Sequence, residues 1–215
     1  MNESQINLLN HLWKQFPQLV AQKETLMRSF SILCSCFRSG GKVLTCGNGG
    51  SASDSEHIVG ELMKGFLLKR PLNEAQTDSL KAAGCPEPQK FAASLQCGLP
   101  AISLVSQSAL LTAFVNDVQA DMVFAQQTFS YGNRGDVLIA LSTSGNSGNV
   151  VNAAIAAKAK GMAIISFTGE SESKLSLISD ETFRVPATET YQVQEYHLPL
   201  YHALCGLTEL ELFLS

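Results

Sequence analysis

The chain has 215 residues, 45% of them apolar and 16% charged, with a mean hydropathy of +0.09, a composition that excludes large-scale disorder and a disulfide-stapled miniprotein. Fifteen Lys and Arg against nineteen Asp and Glu leave a formal charge of −4, which gives no electrostatic reason to bind nucleic acid or an anionic membrane. The longest apolar runs, 137–141 and 162–167, fall far short of the ~18 residues of a membrane helix. Met1-Asn2-Glu3-Ser4-Gln5 lacks the basic start and apolar stretch of a secretory signal, so a cytoplasmic location is expected.

From residue 2 to 39, apolar residues recur at helical spacing (Ile6, Leu9, Trp13, Phe16, then Leu26, Phe30, Leu33, Phe37), broken near Pro17 and stopped at Gly40-Gly41. This predicts an N-terminal helical hairpin over 1–40. It carries more large apolar residues than one small sheet edge covers, so part of it is expected to pack on another subunit. After Gly41 the pattern changes to short β-rich runs at 42–46, 101–105, 136–141, 162–167 and 182–185, separated by helical stretches. These runs are near-continuously apolar, as in strands buried on both faces. The prediction is one α/β domain over 1–215, a three-layer sandwich around a five-stranded parallel sheet. The stretch 70–99, rich in Pro, Gly and polar residues, reads as an insertion with one short helix. The six cysteines (34, 36, 46, 85, 97, 205) show no CxxC spacing and are expected to be mostly small buried hydrophobes. Cys85 and Cys97 flank a polar stretch and are the one pair with a case for bonding or metal binding, which a reducing compartment disfavours.

Ligands bind beyond the carboxyl ends of parallel strands, and two of those ends look alike, each a strand, a Gly/Ser loop and a helix. The loop 142–147 offers the hydroxyls of Ser142, Thr143, Ser144 and Ser147, a glycine and a helix N-terminus. That is a cradle for a dianionic phosphate. Caps and turns alone would also use such residues, but four hydroxyls in six positions favour the anion. Gly47-Asn48-Gly49-Gly50-Ser51 lets the backbone approach a ligand, with Asn48 and Ser51 able to bond sugar hydroxyls. It matches neither G-x-G-x-x-G nor a P-loop, which discounts dinucleotides and nucleoside triphosphates. His57 and Glu61, four apart on one helical face, could bind a metal, move a proton or form an exposed pair of small structural value. A C-terminal patch adds Gln192, Gln194, Glu195, His197 and His202, so three of the four histidines fall in two patches, which raises the functional reading. Gln194 and His202 lie ~12 Å apart along one straight helix. Either Pro199 marks a break or the site draws on two subunits.

Taken together and in this order, Gly47 to Ser51, His57 with Glu61, Asn116-Asp117, the loop 142–147, and Gln194-Glu195 with His202 resemble the phosphoheptose isomerase branch of the SIS (sugar isomerase) family, over most of the chain. The resemblance implies a flavodoxin-like five-stranded fold with extra N-terminal helices. It implies that Ser142, Thr143, Ser144 and Ser147 hold a phosphate, and that Asn48, Gly49, Gly50, Ser51, Asn116, Asp117 and Gln194 contact the substrate. It further implies Glu61 and His202 as the proton-transfer pair, Zn2+ on His57, Glu61, Gln194 and His202, and a homotetramer with shared sites. The chain departs from the branch in the length of 70–99, in Pro199 within the C-terminal helix, and in Tyr191 where an acidic residue is common. The reaction so implied is aldose–ketose isomerisation of a heptose phosphate such as sedoheptulose 7-phosphate, through an enediol. The alternative is a non-catalytic SIS-domain sugar-phosphate sensor or protein-binding adaptor, which needs the serine loop but neither Glu61 nor His202.

Overall fold

Asn2 starts the first helix, α1 (Glu3–Gln15), with a capping box: its side chain accepts from the Gln5 N–H, and the Gln5 side chain accepts from the Asn2 N–H. Pro17 cannot continue that helix. It opens instead a 3-10 stretch, Pro17–Gln22, that turns the chain into α2 (Lys23–Arg38). The computed structural model describes residues 1–214. Beyond α2 it places β1 (Val43–Cys46), α3 (Gly50–Met63), α4 (Glu74–Ala82), α5 (Pro88–Ser94), β2 (Ala101–Ser103) and α6 (Ser108–Asp117). A 3-10 turn at Ala120–Met122 leads into α7 (Val123–Tyr131), β3 (Val137–Leu141), α8 (Gly148–Ala159), β4 (Ala163–Thr168), α9 (Lys174–Ile178), β5 (Glu181–Arg184) and α10 (Thr190–Phe213).

All five expected strands form, and every pairing is parallel in the order β2-β1-β3-β4-β5. Alternate residues feed two cores. Val137, Ile139 and Leu141 join α1, α2, α3 and α10 on one face, while Leu138 and Ala140 join α7, α8 and α9 on the other. Strand order reverses between β1 and β3, so the loops that follow these strands leave to opposite faces and open a crevice at the sheet's carboxyl edge.

Two expectations change. The stretch 70–99 holds two short helices, not one: Asn73 caps α4 through a second capping box, and Pro88 opens α5. Pro199 does not interrupt the C-terminal helix, which runs unbroken for 24 residues. Val193, His197, Leu200, Tyr201 and Leu204 on both sides of it are buried against the sheet and hairpin, and this packing outweighs the one backbone hydrogen bond a proline removes. The hairpin forms as expected; Leu9, Leu12, Leu19, Leu26, Phe30 and Leu33 are covered within the chain, with α10 against both α1 and α2, while Ile6 and Val20 are exposed. Helix α6 buries no residue fully: Leu111 and Phe114 pack partly against the second core, while Leu110 and Val115 are exposed.

Four cysteines (34, 36, 46, 205) are buried, Cys85 and Cys97 are partly exposed, and all six are free thiols. Among the described residues no helix is long and apolar enough to cross a membrane.

Candidate active site

The crevice is made from the first residues after β1 and β3. Gly49 precedes α3 with φ +56°, a left-handed conformation that suits glycine. At Gly50 a Cβ would lie 2.6 Å from the Gln194 carboxamide, so the missing side chain is what lets Gln194 rest on the first turn of α3. Across the switch point Gly145 takes φ +65°, and Ser147 leads into α8. Neither α3 nor α8 has a side-chain cap at its start, leaving two helix N-termini with partial positive charge beside the crevice. Ser142, buried, donates to Ser147 Oγ at 3.0 Å. Asn48 and Asn149 exchange two amide hydrogen bonds of 2.9 Å and so tie the two loops together. The structure thus places Asn48, Gly49, Gly50, Ser51, Ser142, Ser147 and Gln194 about the switch point, while Thr143 and Ser144 line a cavity of about 220 Å3 with Gly169, Glu170, Ser171, Ala187 and Thr188. Asn116 and Asp117 do not join them: they are exposed at the end of α6 and bond to each other at 2.8 Å.

A second cluster lies along the seam between α3 and α10. Gly50 meets Gln194, and further down both helices His57 meets Tyr201 and His202, so the helices run side by side in the same sense. On α3 the spacing of Asp54, His57 and Glu61 puts all three on one face. His57 Nε2 lies 3.1 Å from Glu61 Oε1 and 3.4 Å from His202 Nε2, and Lys64 donates to Glu61 Oε2 at 3.2 Å. The His57 and His202 rings meet edge to face at 4.8 Å between centroids, with Phe66 at 5.4 Å covering His202. Burial pushes the His202 pKa below the ordinary histidine value, as does the neighbouring His57, with Glu61 opposing both. A neutral imidazole accepts a proton at one nitrogen and donates from the other, which suits proton transfer.

The seam is held by a buried ion pair. Arg70 Nε donates to Glu209 Oε1 at 2.7 Å with both side chains fully buried. Glu209 also accepts the backbone N–H groups of Phe66, Leu67 and Leu68, while Arg70 donates to the carbonyls of Leu62 and Glu61. The end of α3, the Phe66 segment and α10 are locked together around Glu61 and His202.

His57, Glu61 and His202 supply two imidazole nitrogens and a carboxylate, donor types that suit zinc. Gln194 is not with them. It lies eight residues earlier on an unbroken helix, ~12 Å along the axis, against Gly50. Among the described residues no three His, Cys, Asp or Glu side chains form a group able to hold a metal ion; His57 stands between the other two in a chain of contacts. One chain therefore presents suitable donors without a complete set. A cavity of about 310 Å3 opens beside His202 between α1 and α10, lined also by His11, Glu195 and Phe66. A larger one, about 600 Å3 between α4 and α5, shares no residue with the crevice or the seam.

The family model described as the SIS domain matches residues 9–84 and 87–169. The chain belongs to the SIS domain family. Among its SIS relatives, the phosphoheptose isomerase of Rhodospirillum rubrum is 38% identical over 178 residues, covering 83% of this chain and 81% of the relative. That of Burkholderia pseudomallei is 37% identical over 198 residues, covering 91% and 87%. The solved phosphoheptose isomerase of Neisseria gonorrhoeae superposes with a TM-score of 0.70 at 30% identity, covering 96% of this chain and 93% of that one.

In this SIS chain the candidate site also includes residues that sequence reasoning passed over: Asp54, Tyr201, Asn149, Arg70 and Glu209. The i, i+3, i+7 spacing of Asp54, His57 and Glu61 was an available signal for the first. The other four declare themselves only through contacts between distant segments.

Proposed function

We propose that the chain is a sugar-phosphate aldose–ketose isomerase acting on a heptose phosphate such as sedoheptulose 7-phosphate. The observation that carries the mechanism is the meeting of Glu61 and His202 around His57 at the α3–α10 seam. Glu61 removes the proton from the carbon next to the carbonyl, and an enediolate forms. His202 carries a proton between the two oxygens, and Glu61 returns its proton to the neighbouring carbon, so the sugar is rearranged with no net gain or loss of atoms. The serine loop, between two uncapped helix N-termini, holds the phosphate and supplies binding energy remote from the reacting carbons. Asn48 and Ser51 face the sugar chain in this reading, the first by exchanging Asn149 for a hydroxyl. Zinc on His57, Glu61 and His202, completed by Gln194 of a second copy, would polarise the carbonyl.

The assembly is a homotetramer with shared sites. Two facts support sharing: the seam cluster lies ~10 Å down α3 from the crevice, seven residues from Gly50 to His57, and α6 leaves its apolar residues Leu110 and Val115 exposed. A cytoplasmic location suits the six free thiols. The sensor or adaptor reading is not favoured: the relatives at 37–38% identity named above are isomerases, and a pure binder has no use for the seam cluster.

The test is proton NMR in D2O with a panel of ketose phosphates, each with zinc and with a chelator. Solvent deuterium at the carbon next to the carbonyl, with an aldose phosphate product, is the expected result. Binding without exchange for every sugar would return the chain to the sensor reading. Site sharing is tested by refolding a mixture of two inactive variants, Glu61→Gln and Ser144→Asp. Recovered turnover is expected, and none would place each site within one chain.

A further inference from the structure

One buried hydroxyl beside the reacting groups has no part in the scheme above. Tyr201, 1% exposed, precedes His202 on α10. Its hydroxyl stands 3.1 Å from Asp54 Oδ1 and 3.0 Å from His57 Nδ1. Asp54 lies one turn before His57 on α3, and its other oxygen, Oδ2, is buried without a partner. An unsatisfied carboxylate oxygen is costly to keep inside a protein and calls for an explanation. A phenol has one proton to give, and a carboxylate can only accept. The Tyr201 proton therefore goes to Asp54, and the phenol oxygen faces Nδ1 as an acceptor.

We infer that Tyr201 is a positioning residue that holds His57 in the tautomer protonated at Nδ1, so that the unprotonated Nε2 is the nitrogen turned toward Glu61 and His202. The order of donation is Nδ1–H of His57 to the Tyr201 oxygen, and the Tyr201 O–H to Asp54. The side chain of His57 is 43% exposed, and its ring meets Tyr201 edge-on at 5.5 Å, so the hydroxyl is the one directional contact on its inner nitrogen. Without it the ring is free to turn Nε2–H toward Glu61 Oε1 and occupy the oxygen as an acceptor. With it, Nε2 is left as an acceptor facing Glu61 Oε1 and His202 Nε2. The catalytic consequence rests on the isomerase reading; the tautomer does not.

The experiment is long-range proton–nitrogen NMR of the histidine rings in the metal-free protein at about pH 8, above the ordinary histidine range. His57 is assigned by the signal lost in His57→Gln. The wild-type chain is expected to show Nδ1–H. Tyr201→Phe keeps the buried ring and removes only the hydroxyl; it should shift the proton to Nε2 and lower kcat about tenfold while KM stays within about twofold. Asp54→Leu frees the Tyr201 proton for Nδ1 and should make the same shift, which keeps the test available if Tyr201→Phe does not fold. An Nε2–H signal in the wild type, or an unchanged signal in the folded variants, overturns the assignment. A chain that shows the shift but turns over no sugar phosphate leaves the tautomer standing and removes the isomerase.

Discussion

The crevice at the switch point and the seam between α3 and α10 are built by opposite means. Each wall of the crevice is one continuous strand, loop and helix, and its working groups are hydroxyls, amides and backbone N–H groups that any such connection presents at a sheet's carboxyl edge. The seam joins His57 and Glu61 to a histidine far along the chain and is secured by the buried Arg70–Glu209 pair. The crevice is thus a place where an anion can rest, while the seam is where titratable groups are brought into contact. Binding should follow the first and chemistry the second, and substitutions can separate them.

The largest separation is expected from Glu61→Gln. Glutamine keeps the size of the side chain and cannot take a proton, so kcat should fall about a thousandfold, equivalent to about 4 kcal/mol of barrier. The crevice is untouched, so calorimetric affinity for the sugar phosphate should stay within about threefold. A variant of near wild-type rate would remove Glu61 as the base, and one that lost binding and rate equally would mean that crevice and seam are not separable.

Arg70→Met comes next. It leaves the Glu209 carboxylate buried with its three backbone donors but without its countercharge. Breaking a buried pair from one side costs about 3 to 5 kcal/mol, and the surviving donors point to the lower end, about 3 kcal/mol, measured by urea unfolding. Because Arg70 also bonds the Glu61 carbonyl, the loss should reach the seam, lowering kcat while sugar-phosphate affinity holds. A variant as stable as the wild type would show that the lock is dispensable.

The same contrast explains what could be read in advance. The five strands were legible because each is a short, near-continuous apolar run, and the two loops because their glycines and hydroxyls are contiguous. Within 70–99, α4 and α5 were merged into one expected helix because neither is long enough to show a clear apolar stripe, although Asn73 with Gln76 is a capping-box signal. Pro199 misled because local sterics mark it as a break, whereas burial of its neighbours keeps α10 whole. In the hairpin Leu9, Leu12 and Leu26 are covered while Ile6 and Val20 are exposed, and in α6 Leu110 and Val115 are exposed; which apolar face finds cover is a tertiary fact. For the same reason Tyr201, Arg70 and Glu209 stayed silent, since an isolated buried polar residue has no local pattern until its partner is placed.

The smallest of these effects concerns His197, which belongs to both regions. It lies on α10, fully buried, with Nε2 3.3 Å from the carbonyl of Thr168 at the crevice end of β4 and Nδ1 without a partner. Burial lowers its pKa to about 4, against the opposing Thr168 hydrogen bond. Between that value and the ordinary histidine pKa the unfolded chain binds a proton that the folded chain does not, so stability rises with pH across this window and is lost on acidification. From pH 7 to pH 5 the loss from this one group is about 2 kcal/mol. His197→Gln should flatten the stability curve by that amount relative to the wild type, in urea unfolding at both pH values. Equal slopes would mean that His197 is protonated in the fold. A flattened slope with unchanged kcat at neutral pH would show that the histidine ties the seam helix to the sheet without entering the chemistry, which is the division between the two regions expressed in a single side chain.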